Sequence, residues 1–304
     1  MAMRIFLSVV ATALLLATTG QAFAKVKVFA CEPEWAALAR EIGGSRVTAY
    51  SATHAQQDPH HIRARPSLIA KIRRANLVFC SGAGLEVGWL PLLLQRGGSG
   101  LQPGAAGHLM AAEHIEILEK PISIDRSLGD LHPEGNPHVH LDPHNILILA
   151  RTLSERLSEI DPSGVSHYAK HLERFVASWS AALAGWTQRA ANMRDKSVVV
   201  HHKFWSYLLR WTGLRETGTL EVKPGISPSI NHLKSLLVDT QAAGARAILR
   251  NPYDDKEPSD WLADRTGIPV IELPATVERG ALPGALRKYF DELLDRLELV
   301  NGQH

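Results

Sequence analysis

The sequence predicts an α/β protein of two lobes with a long, rigid helix between them. Three observations carry that prediction. Short apolar runs rich in β-branched residues alternate with amphipathic helical stretches in both halves of the chain, as parallel sheets with crossover helices require. One long stretch, Ser166 to Ala190, separates the halves and repeats Tyr168, Leu172, Phe175, Trp179, Leu183 and Trp186 three or four residues apart, so one helical stripe is aromatic. The 304 residues are enough for two lobes that each bury a core.

The first element is not part of the fold. Arg4, the apolar run Ile5 to Ala17 and Ala22-Phe23-Ala24 before Lys25 form a basic start, a hydrophobic centre and a small-x-small cleavage pattern. Residues 1–24 therefore read as a signal peptide, and the apolar run is short for a permanent span, the alternative reading. The expected division of the exported chain is an N-terminal lobe at 25–150, a linking helical segment at 151–194 and a C-terminal lobe at 195–304.

Val26 to Ala30 reads as the first strand. Pro33, with acids on either side, suits the first turn of the helix that follows; Trp35, Leu38, Ala39 and Ile42 recur at helical spacing, and Gly43-Gly44 ends it. Val47 to Ser51, Leu77 to Ser81 and Ile115 to Leu118 are the next strand candidates. In the second half Ser197 to Val200, Ala247 to Leu249 and Pro269 to Glu272 read as strands, with a helix over Asn231 to Ala242.

Composition removes some functions. With 33 basic and 31 acidic side chains the net charge is +2, too little for a nucleic-acid footprint. The 2 cysteines exclude a zinc site of cysteine pairs. Cys31 and Cys80 each end an apolar strand candidate, so in an oxidising compartment a disulfide between them is expected, with two buried thiols as the alternative.

The 15 histidines are the anomaly. Three groups sit at strand ends or in proline-marked loops, where open α/β folds place ligand-binding groups: Asp58-Pro59-His60-His61, Asn136-Pro137-His138-Val139-His140 with His144 close behind, and His201-His202. Neutral imidazole suits zinc or copper, and groups this distant meet only through folding, so the expectation is a metal-organised cleft. The other reading of any one group is tolerated loop polarity. His54, His108, His114, His167, His171, His232 and His304 lack such a context and read as surface residues.

Several of these motifs resemble, in order, those of the periplasmic zinc/manganese-binding components of ABC transporters. Asp58-Pro59-His60, with Pro66-Ser67 and Ala75-Asn76-Leu77-Val78 after it, resembles the family's first ligand motif. Gly135-Asn136-Pro137-His138-Val139-His140-Leu141-Asp142-Pro143 resembles the second, and His202-Lys203-Phe204-Trp205-Ser206-Tyr207 with Trp211-Thr212-Gly213-Leu214 the third. Lys223-Pro224-Gly225-Ile226-Ser227-Pro228-Ser229 also matches, so the resemblance runs from about Val26 to Leu297. It implies one metal at the interface of the two lobes, held by His60, His138 and His202. His202 is preferred over His201 because Trp205 and Tyr207 lie three and five residues after it. His61 and His140 become accessory groups, with His132 and His144 as further helpers.

The chain departs from the family at the fourth ligand. Where the resemblance implies an aspartate in the C-terminal lobe, the sequence has Ala285, and the nearest acid is Glu278; Glu221 or water are the other choices. The implied function is capture of Zn2+ outside the cytoplasm, in the periplasm, by a monomeric non-enzymatic protein that delivers it to an ABC permease, with or without a metallochaperone. Rival readings are a zinc-dependent hydrolase, which lacks a His-Glu-x-x-His helix here, and a metal-binding adhesin or chaperone without a transporter. Two further features stand out: a loop from Asp125 to Glu134, with Asp130, His132 and Glu134, that would pass metal inward, and a basic cluster of Arg63, Arg65, Lys71, Arg73 and Arg74 that reads as a solvated helix face.

Overall fold

The computed structural model describes residues 24–121, 132–222, 225–278 and 280–302. The signal segment up to Phe23 and most of the loop from Asp125 lie outside them. No helix among the described residues is long and apolar enough to cross a membrane.

Each lobe is a four-stranded parallel sheet. In the first, β1 (Val26–Ala30), β2 (Val47–Ser51), β3 (Leu77–Cys80) and β4 (His108–Met110) lie in the order β2-β1-β3-β4. Val28 pairs with Ala49 on one side and Leu77 on the other. The crossovers include α1 (Pro33–Gly43), α2 (Pro66–Ile72) and α3 (Leu90–Leu94). The second sheet repeats the plan with β5 (Ser197–Val200), β6 (Arg215–Thr219), β7 (Ile248–Arg250) and β8 (Val270–Glu272) in the order β6-β5-β7-β8. In both sheets the chain leaves the first strand one way and returns the other, so the carboxyl ends of β1 and β3, and of β5 and β7, flank a topological switch point, where such sheets bind ligands.

The strand expected at Ile115 to Leu118 does not form; His108–Met110 takes the place beside β3 instead. The backbone of Leu118 bonds elsewhere, its N–H to the Tyr207 hydroxyl at 3.1 Å and its carbonyl to Asn136 N–H at 2.8 Å. His108, read as a surface residue, is buried on that strand with Nδ1 3.0 Å from the Leu101 carbonyl. Cys31 and Cys80 are joined as a disulfide with Cα atoms 4.8 Å apart, tying the ends of β1 and β3.

Between the sheets run α4 (Pro143–Ile160) and the 27-residue α5 (Val165–Ala191), and α6 (Ser206–Thr212), α7 (Ile230–Ala242), α8 (Lys256–Thr266) and α9 (Ala285–Leu297) complete the C-terminal lobe. The aromatic stripe of α5 faces inward: Tyr168, Phe175, Trp179 and Trp186 are buried in a core that runs through both lobes. The start of α5 is tied to the N-terminal lobe, His167 Nε2 and His171 Nδ1 lying 3.0 Å from the Gly43 and Glu41 carbonyls at the end of α1. Its far end is tied to α9, where Trp186 Nε1 donates to Asp291 at 2.7 Å and Arg189 pairs with Asp295 and Glu298. Trp179 donates its indole N–H to the Pro143 carbonyl at 2.9 Å, so this buried ring has its polar atom satisfied.

Candidate metal centre

Three loops bring the site together at the lobe interface. After β2, Asp58 caps the 3-10 turn Pro59–His61, its carboxylate accepting the His60 N–H at 2.9 Å. The same oxygen lies 2.6 Å from His60 Nδ1. Ahead of the second motif the chain turns at Gly135, where φ is +108° and a side chain would press a Cβ to 2.6 Å from the Leu118 carbonyl oxygen. Asn136 then accepts the His138 N–H at 3.0 Å and donates to the Lys203 carbonyl at 2.7 Å, while Tyr207 donates to the Asn136 carbonyl at 2.9 Å. The second motif is thereby fixed to the third. At the end of β5, His201 and His202 follow directly, with Glu221 just beyond β6.

His60, His138 and His202 converge. Their ring centroids are 5.8, 6.1 and 6.1 Å apart pairwise, and one ligand atom from each lies within 4.8 Å of the others. His138 is 1% exposed, packs against Phe204 with ring centroids 4.1 Å apart and tilted, and neither ring nitrogen has a hydrogen-bond partner. A buried imidazole with no partner costs free energy unless something else occupies its lone pair. Burial first, then the neighbouring imidazoles, hold its pKa well below the ordinary value, so it is a neutral donor. A cavity of about 50 Å³ beside the cluster is lined by Asp58, His60, His202, Glu221, Tyr253 and Asp254 among others.

Two carboxylates orient the two half-buried rings, His60 and His202. Asp58 holds His60 by Nδ1, and Glu221 lies 3.0 Å from His202 Nδ1, which in each case leaves Nε2 facing the centre. Burial alone would raise both carboxyl pKa values. Hydrogen bonds from the rings reverse it: Asp58 falls below its usual range, and Glu221, bonded to His201, His202 and the Gly225 N–H, falls to about 2. Sequence reasoning named Glu221 only as an alternative ligand; its orienting role joins residues 19 apart through the pairing of β5 and β6.

The remaining candidates separate. His140 is buried, 3.0 Å from the Ala275 carbonyl and 3.4 Å from Glu34, and so bridges the lobes behind the site. His144 pairs with Asp142 at the start of α4, and His61 points to solvent with its ring 3.8 Å from Asp58. His201 is buried with Nε2 3.6 Å from Glu221. Glu278 is exposed and lines a different cavity with Gln56, Pro252 and Lys288; Ala285 lines it too. His132, the last of the loop histidines, has Nε2 3.0 Å from His60 Nε2. Burial and the adjacent His60 and His202 rings push its pKa down to about 3.

Behind His140 lies a buried acidic group. Glu86 accepts the Ser81 N–H at 2.8 Å, and Ser81 Oγ donates to Glu32 at 3.2 Å. Burial pushes the Glu86 carboxyl up to about 7, and burial with the Glu86 and Glu34 charges pushes Glu32 well above its ordinary range.

The comparisons with known proteins agree with this architecture. Residues 28–298 match the model of the ZnuA family, the periplasmic component A of a zinc-uptake complex. Over 251 residues the chain is 22% identical to the metal ABC transporter substrate-binding lipoprotein ScbA of Streptococcus cristatus, spanning 81% of this chain and 78% of that one. Over 258 residues it is 25% identical to the manganese ABC transporter substrate-binding lipoprotein PsaA of Streptococcus pneumoniae serotype 4, spanning 83% and 80%. Its fold superposes on the crystal structure of ZnuA with a TM-score of 0.76 at 20% identity, covering 91% of this chain and 100% of that one. With the family model spanning nearly the whole described chain, the protein belongs to the ZnuA family, the metal-binding solute-binding components of ABC transporters.

Proposed function

We propose that this protein captures Zn2+ outside the cytoplasm with His60, His138 and His202 and delivers it to an ABC permease. The observation that carries the reading is His138: buried, neutral, unpaired at both nitrogens, and within ligand distance of two more imidazoles that carboxylates hold with Nε2 inward. Such a donor set favours zinc over manganese, whose sites generally use more oxygen. Relatives named for manganese leave the choice of ion to the chemistry of these residues. The protein acts as a monomeric binder, with lobes at 25–150 and 195–304 and the linking segment 151–194 between them, and a periplasmic metallochaperone fits as an upstream donor.

Capture is favoured over hydrolysis because the two carboxylates beside the imidazoles are each engaged with a ligand ring, not aimed at a water as a general base would be. The test equilibrates metal-free protein with equal Zn2+ and Mn2+ and measures what remains bound after gel filtration. Zinc retention, lost in His138→Ala, is expected; manganese retention overturns the ion, and unchanged zinc affinity in the variant overturns the ligand set.

A further inference from the structure

The cluster contains one imidazole more than three-histidine capture uses. His132 Nε2 lies 3.0 Å from His60 Nε2, and its ring centroid is 5.1 Å from that of His60 and 6.3 Å from that of His138. The three ligand rings are 5.8 to 6.1 Å apart, and His132 flanks that group on the His60 side. Four nitrogens at a Zn–N distance of about 2.0–2.1 Å lie roughly 3.3 Å from one another in a tetrahedron, a few tenths more than the His60–His132 separation, so modest ring movement would bring His132 Nε2 into the shell.

The protons identify what a cation would replace. His60 directs Nδ1 at the Asp58 carboxylate, which only accepts, so its proton is there and its Nε2 carries a lone pair. His132 Nε2, 3.0 Å away, then donates its proton to that lone pair, the position a bound cation would take.

The other candidates for the fourth position are engaged elsewhere. Glu221 holds His202, Asp254 accepts the Asn251 N–H at 2.7 Å, and Glu278 lines the other cavity. We infer that His132 Nε2 is the fourth ligand of the captured ion, closing a tetrahedron of four imidazoles in place of the carboxylate that Ala285 cannot supply. An all-imidazole shell also strengthens the preference for zinc over oxygen-seeking cations. This inference rests on the metal-capture reading above.

Its test uses the full exported chain labelled with 15N-histidine and loaded with one equivalent of Zn2+. Long-range 1H–15N spectra are expected to show four imidazole nitrogens moved to the metal-bound range in the parent protein and three in His132→Ala. A chelator competition should show His132→Ala binding Zn2+ at least tenfold more weakly, the low end of the roughly 10–100-fold that even outer contacts of a ligand are worth. Glu278→Ala should leave the affinity unchanged. Three shifted nitrogens in both proteins, with equal affinities, overturn the fourth ligand while leaving capture intact. No shifted nitrogen in the parent protein would instead overturn capture itself.

Discussion

Asp58 and Glu221 show how much of the proposed site is decided by the groups behind its imidazoles. Each carboxylate engages Nδ1 of one ring, His60 or His202, and so fixes which nitrogen faces inward. His138 has no such partner and is held by packing alone, so it feels burial most strongly. That has a sign. His138 and His132 have folded pKa values well below 6.5, the latter about 3. Between 6.5 and about 3 the unfolded chain binds protons that the folded chain refuses, so stability falls as pH falls. Glu86, raised to about 7, acts oppositely, holding its proton in the folded state from 4.5 upward and losing stability as pH rises through that range. Urea midpoints of the metal-free protein should therefore drop along an acid limb below about 4.5, where the raised carboxyls no longer oppose the imidazoles. His138→Phe should flatten that limb; an undiminished slope would mean the buried ring is not its source. At this scale the three histidines that converge were legible, because each lies in a short local motif. The contacts of His132 to His60 and of Glu221 to His202 were not, because they close over 72 and 19 residues.

Among elements, the helix stripe was the plainest signal, since little besides a helix with one buried face sustains a 3.6-residue period from Tyr168 to Trp186. Two of the four edge strands were the faintest. β6 reads Arg-Glu-Thr-Gly-Thr, polar and half exposed, and β4 is three residues long; pairing with a neighbour, not composition, makes them strands. Conversely, Ile115 to Leu118 has strand composition, but its backbone is committed to Tyr207 and Asn136. The helix α5 carries the energetic weight its stripe suggests. Trp179 is 2% exposed, stacks on Phe175 at 5.1 Å and meets Phe290 of α9 edge-on at 5.5 Å. Trp179→Ala should cost about 3–5 kcal/mol of unfolding free energy by urea denaturation. A loss well under about 1 kcal/mol would show that the core relaxes around the cavity.

For the molecule as a whole, the geometry of α5 limits what metal capture can move. One end of the helix is bonded to α1 and the other to α9, and direct contacts such as His140 to Ala275 and Trp211 to the Leu141 carbonyl cross the interface beside it. A hinge that opened the lobes widely would break all of these together. Small-angle scattering should give a radius of gyration of about 19 Å for a chain of this length, the same with and without Zn2+. A clearly larger metal-free value would reject a braced frame. Release would then depend on loop rearrangement around the imidazoles.

The disulfide, described above as a tie between two strands, also governs which sulfur a soft cation can find. Cys31, Cys80 and Glu86 offer ligand atoms within 4.8 Å of one another, close enough that two free thiolates there would form a competing trap deep in the N-terminal lobe. Once oxidised, the pair has no thiolate to give. With the sulfurs paired, the proposed imidazole site meets no thiolate rival in that lobe.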